Sequence, residues 1–158
     1  MCRDRINWQA LINDFTTYNQ RSSRDFTTRM TELSKISGAI WEQFCNRIQD
    51  ANIQQQIRNA DNFDEICEIL EGLNVPGIGT DTIISIAAKI AYDLEKPLDD
   101  SCFSLKRIEG NPKMRNILQH FSSLEEIRDS NHLLENFSDK DLFLLLVLSK
   151  SRIAKSLR

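Results

Sequence analysis

The stretch of this 158-residue sequence best suited to chemistry is Val75-Pro76-Gly77-Ile78-Gly79-Thr80-Asp81-Thr82. Two glycines flanking one apolar residue permit positive φ and let a ligand approach the backbone. A helix that opens after Gly79 presents peptide N–H groups with no partner inside the helix. The positive end of the helix dipole stands behind them. That chemistry is anion binding, phosphate above all, and it reads no bases. Gly77, Ile78, Gly79, Thr80 and Thr82 are the expected contact residues, with Ile78 turned inward to anchor the corner. Asp81 lies in the same turn. A carboxylate there repels a phosphate by ~1 kcal/mol at 4 Å in water, and it also suits the first turn of any helix.

Other chemistry-bearing residues are fewer. Asp99 and Asp100 follow Pro97. A carboxylate can stabilise positive charge developing on a sugar and activate water, while adjacent aspartates after a proline also serve as helix caps. Lys113 and Arg115 are two cations of the C-terminal third. His120 and His132 have no acidic or cysteine partner at ligand spacing, and Cys2, Cys45, Cys67 and Cys102 form no C-x-x-C pair. We therefore expect no metal and no cofactor, and free thiols in a reducing cytoplasm. No Ser-His-Asp order, Walker loop or His-Glu metal pattern is present.

The elements that must position these residues read as helices. Hydrophobic residues make up 41% and charged residues 27%, an ordinary globular balance. Only 5 Gly and 3 Pro leave too few turns for a sandwich or barrel. Apolar spacing predicts helices at Ile6 to Phe15, across 38–60 with a break near 50, at Asn62 to Leu73, and from Thr80 to Leu94. Tyr18 to Thr31 reads as a loop or short helix. Asn62 with Glu65, Ser122 with Glu125, and Ser138 with Asp141 read as helix starts of the capping-box kind. The last helix is expected to run from Ser138 through the basic tail. Its apolar run, Leu142 to Leu148, falls short of the ~18 residues of a membrane span. The opening Met1-Cys2-Arg3-Asp4-Arg5 leads into a polar segment, so no secretory signal is expected.

Charge is unevenly placed. Residues 1–103 carry 10 Lys+Arg against 16 Asp+Glu, and residues 104–158 carry 10 against 7. An acidic chain is a poor wrapper of nucleic acid, but a polarised one can present a single basic face, here C-terminal. Basic residues in a last turn are also favoured by the helix dipole alone.

Helix, Pro76-Gly77-Ile78-Gly79, then Thr82 and a small-residue-rich helix, resembles the helix-hairpin-helix DNA-binding motif over residues 62–94. The resemblance implies sequence-independent contact with DNA phosphates. Thr80 and Asp81 stand where strong binders of that family carry Lys or Arg. Ile108-Glu109-Gly110-Asn111-Pro112-Lys113-Met114-Arg115, with His120-Phe121-Ser122-Ser123-Leu124-Glu125-Glu126-Ile127, looks like part of the tandem hairpin region of excision nucleases, one hairpin glycine short, and that likeness implies phosphate contacts by Lys113 and Arg115. Pro97-Leu98-Asp99-Asp100-Ser101-Cys102, then Lys106-Arg107, is similar in placement to the catalytic segment of helix-hairpin-helix DNA glycosylases. That likeness would make Asp100, or Asp99, the catalytic carboxylate. Asp81 occupies the place of the nucleophilic lysine, and Cys102 that of the histidine.

The expected architecture is all-α: one compact helical domain with a helix-hairpin-helix unit and a possible degenerate second. Residues 1–60 would form a helical support, 61–96 the hairpin, and 104–158 a basic helical region. The expected function is backbone DNA binding by a non-enzymatic accessory subunit, with DNA repair as the setting and no membrane partner. Two alternatives stand beside it: an adaptor within a larger protein complex, and a glycosylase-like enzyme using Asp100.

Overall fold

The computed structural model describes residues 2–20 and 38–158, and every regular element among them is helical. The α-helices are α1 (Trp8–Gln20), α2 (Gly38–Ile48), α3 (Ala51–Asn59), α4 (Phe63–Glu71), α5 (Thr80–Asp93), α6 (Lys106–Glu109), α7 (Pro112–His120), α8 (Leu124–Asp129), α9 (Asp139–Leu148) and α10 (Lys150–Ser156). Short 3-10 turns occupy Cys2–Arg5, Asp100–Ser104 and His132–Leu134. None of the described helices is long and apolar enough to cross a membrane. Tyr18 to Thr31, expected as a loop or short helix, is helical through Gln20, and its remainder lies outside the described residues.

The chain groups into two compact units: Ser23–Pro97, and Met1–Ser22 together with Leu98–Arg158. The grouping differs from the three segments read from the sequence. Residues 38–60 group with 61–96, whereas α1 groups with the C-terminal region.

In the Ser23–Pro97 unit, α4 and α5 form the main packed pair. The stripe Phe63, Ile66, Cys67 and Leu70 recurs at helical spacing, and all four side chains are buried. Each large side chain buried this fully contributes about 1.5–3 kcal/mol. Helix α5 is buried nearly all round, from Ile83 to Ala91 with Ser85 half-exposed. Trp41, Phe44 and Ile48 of α2 complete the core. The break between α2 and α3 falls at Gln49 and Asp50, where the Asp50 carboxylate accepts from the N–H groups of Asn52 and Ile53. Cys45, Cys67 and Cys102 are free thiols, all buried.

In the other unit, Leu142 to Val147 of α9 are fully enclosed. The long last helix expected from the sequence is interrupted at Ser149, whose ψ of 9° leaves the helical region. The bend lets α10 change direction and bury one face only, through Ile153, Ala154 and Leu157. Helix α10 packs on α7, and α1 meets α9. Ring pairs Phe15–Phe137 and Phe103–Phe143 join further elements at 6.0 and 5.6 Å.

The expected capping boxes appear with one correction. Asn62 accepts from the Glu65 N–H, and Ser138 from that of Asp141. The cap of α8 is Ser123 rather than Ser122, accepting from the Glu126 N–H at 3.1 Å. Glu126 returns its carboxylate to the N–H and hydroxyl of Ser122. Glu65 does the same for the Asp61 N–H. With two adjacent serines and two adjacent glutamates, both registers satisfy the pattern, and burial of Leu124 and Ile127 selects one.

Glu126 also receives Arg3 at 2.6 Å. The same guanidinium donates to the His120 carbonyl and lies 4.6 Å from the centroid of the Phe121 ring. Arg3 thus ties the first residues to the α7–α8 junction. The Ser122 hydroxyl and amide, then Arg3, hold the Glu126 carboxyl down from 4.5 to about 2. Folding therefore favours the ionised form. The stabilisation is complete above about pH 4.5 and is lost as pH falls toward 2. Glu126→Gln should unfold at lower urea than the parent at pH 7. The gap should shrink below pH 4.5 and close near pH 2; a gap independent of pH would refute the assignment.

Candidate nucleic-acid interface

The corner between α4 and α5 is built from a sequence of tight turns. Helix α4 ends at Gly72, and Leu73 and Asn74 donate back to the carbonyls of Leu70 and Glu71 at 3.2 and 3.1 Å. Asn74 takes φ +51°, a left-handed conformation that asparagine tolerates. The Ile78 N–H then donates to the Val75 carbonyl at 3.2 Å. This closes a turn with Pro76 second and Gly77, at φ +92°, third. Those are the places where proline and glycine are favoured in a type II turn.

The two glycines of the corner do different work. A Cβ on Gly77 would stand 2.7 Å from Cδ1 of Ile40, so the absence of a side chain lets α2 close on the turn. Gly79 has φ −91° and ψ 174°, open to any residue, and nothing lies within 4 Å of a Cβ built there. Its role is to leave the start of α5 bare. No side chain caps α5, and its first ladder bond runs from the Ile83 N–H to the Gly79 carbonyl at 3.1 Å. The amides of Thr80, Asp81 and Thr82 precede that bond. Gly77, Gly79 and Thr80 are exposed, while Asp81 and Thr82 are half-buried.

Ile78 does not anchor the corner as expected. It is half-exposed, and Leu73 and Val75 are the buried residues. Ile78 instead lines a cavity of about 340 Å³ with Phe44, Leu70, Pro76, Gly79 and Ile83. Glu71 also lines it, and no Lys or Arg among the described residues does. Lys89, two turns further along α5, is buried. Its ammonium lies 2.7 Å from Asp93 and 5.1 Å from the centroid of the Tyr92 ring.

The second hairpin resemblance folds differently. Gly110 and Asn111 join the single-turn α6 to α7. The Asn111 side chain is buried and accepts from the Lys113 and Met114 amides at 3.1 and 3.0 Å, while Pro112 has no N–H to offer. The start of α7 is therefore already occupied. Lys113 is half-buried and Arg115 exposed. They belong to the unit of residues 1–22 and 98–158, whereas Gly77 to Thr82 belong to Ser23–Pro97.

Asp100 is engaged with the backbone. Its carboxylate accepts from the Leu124 N–H at 2.8 Å, and Asp99 accepts from the Ser101 N–H at 2.9 Å. Both aspartates thus take the capping role. His120 directs Nδ1 to the Asn116 carbonyl at 3.0 Å. No group of three or more His, Cys, Asp or Glu among the described residues could hold a metal ion. Arg3 and Asn111 escaped the sequence reading. Asn before Pro at a helix start was the available signal for Asn111; Arg3 had none, because its partners lie more than a hundred residues away.

The division of labour between the glycines predicts opposite responses. Gly77→Ala should cost about 1–3 kcal/mol, from forced positive φ and displacement of Ile40. Gly79→Ser should be neutral or gain a few tenths of a kcal/mol by supplying the missing cap. Urea unfolding of both variants checks this; equal losses would refute it.

Comparison with known protein families, with curated proteins and with solved structures finds no match to this chain.

Proposed function

We propose that the chain binds the phosphate backbone of DNA without sequence preference, as a non-enzymatic accessory subunit. The observation that carries this reading is the start of α5, where a solvent-exposed, glycine-opened helix end has no side-chain cap. Backbone N–H groups there can donate to a phosphate oxygen, and the helix dipole favours its charge. Thr80 and Thr82 add hydroxyls at the same end. Lys113 and Arg115, in the other unit, would meet phosphates on their own account, by contacts of the kind that fix position without reading sequence. Asp81 works against the anion, so few phosphates are engaged and affinity is modest.

A second reading, a protein-interaction adaptor, is favoured by charge. The Ser23–Pro97 segment, which carries the hairpin, holds 7 Lys+Arg against 12 Asp+Glu. Such an excess repels a polyanion and attracts a basic partner.

Gly79→Asp separates the two readings. Aspartate is a good helix cap, so helix content and the urea midpoint should hold. Its carboxylate would fill the anion position, and binding to two unrelated duplexes, followed by fluorescence anisotropy, should be lost for both. Parental binding should fall with salt at a log–log slope of about −2 if two phosphates are met. DNA affinity unchanged in Gly79→Asp would refute hairpin binding.

A further inference from the structure

Two further cavities lie in the Ser23–Pro97 unit. One, of about 790 Å³, is bounded by α2, the start of α3 and the end of α4. The other, of about 650 Å³, lies between α3 and α4. They share Ile53, Gly72 and Leu73, so they form one groove with a waist at those residues. Its apolar lining is Ala39, Ile53, Ala60, Ile69 and Leu73.

The charged lining is one-sided. Glu42 and Asp50 border the first cleft, and Glu65 and Glu68 the second. Asp50 is spent on capping α3, and Glu65 on the Asp61 amide. The Glu42 and Glu68 side chains are exposed, and their carboxylates make no hydrogen bond or ion pair with a described residue. The one cation among the lining residues, Arg47, donates to the Leu73 carbonyl. Neutral amides, Gln43, Asn46, Gln56 and Asn59, fill the remaining edge.

We propose that this groove docks a lysine- and arginine-bearing segment of a partner protein, with an apolar side chain on the Ile53–Leu73 waist and a cation toward each of Glu42 and Glu68. The choice of occupant follows from charge complementarity. Two uncommitted carboxylates flank an apolar waist within a segment of net acidic charge, an arrangement that disfavours nucleic acid and acidic peptides. The inference deepens the adaptor reading by naming its surface, and it is independent of DNA binding at the corner.

The test uses a fluorescent amphipathic peptide of alternating Lys and Leu patches, and its counterpart with Glu for every Lys. The full chain should bind the basic peptide, more weakly as salt rises, and the acidic one at least tenfold less. Glu42→Lys with Glu68→Lys should weaken the basic peptide at least tenfold. Both positions are exposed, so the fold should hold. Gly79→Asp should leave peptide affinity unchanged, so failure here and failure of the DNA reading are distinguishable. Ile53→Gln should also weaken binding, whereas rim charge acting alone would leave it unmoved. Equal binding of the two peptides, or full affinity in the double variant, would overturn the groove. In the second case a basic partner would bind elsewhere on the chain, and the adaptor reading would survive without this surface.

Discussion

Helix starts are the constraint on which this structure turns. A chain assembled from many short helices exposes many sets of N-terminal amides, each needing a partner. This sequence supplies one at almost every start: Asp50 for α3, Asn62 for α4, Asn111 for α7, Ser123 for α8 and Ser138 for α9. The Asp99 carboxylate serves the turn that follows it, and Asn131 does the same at the last 3-10 turn. Helix α6 is a single turn, and α10 continues directly from α9 through Ser149. Helix α5, fourteen residues long, has a glycine at its cap position and no side-chain hydrogen bond there. A capping residue at position 79 would cost nothing sterically. Its absence therefore gives the anion-binding reading its force.

That reading has an electrostatic counterweight within the same unit. Backbone amides bring partial charges only, and the dipole effect fades within the first turn. Asp81 stands in that turn and Glu71 lines the adjoining cavity. Lys89 is held by Asp93 and by burial. Arg115, whose side chain is exposed, belongs to the other unit. Among the described residues, no Lys or Arg lines the corner. Such a site would favour a ligand whose position is set partly by other contacts.

Local features were legible in the sequence, and pairings across the chain were not. The all-helical class followed from apolar spacing and from the scarcity of Gly and Pro. Asn62 with Glu65, the Pro-Gly-Ile-Gly corner, and the all-round burial of α5 could each be read from a few neighbouring residues. Ser122 and Ser123 could not be told apart, because one step along the chain leaves the cap pattern intact. Ile78 looked like an anchor because it is apolar, yet Leu73 and Val75 take that place. The break at Ser149 carries no glycine or proline to announce it. The association of residues 1–22 with 98–158 depends on contacts such as Arg152 with Asp14 at 2.5 Å, and periodicity says nothing about those.

The groove and the hairpin corner are linked through the end of α4. Leu70 and Glu71 line the corner cavity, and Gly72 and Leu73 line both halves of the groove. Asn74, the next residue, returns to the corner and donates to the Gly72 carbonyl at 3.1 Å. One turn of backbone therefore borders both surfaces.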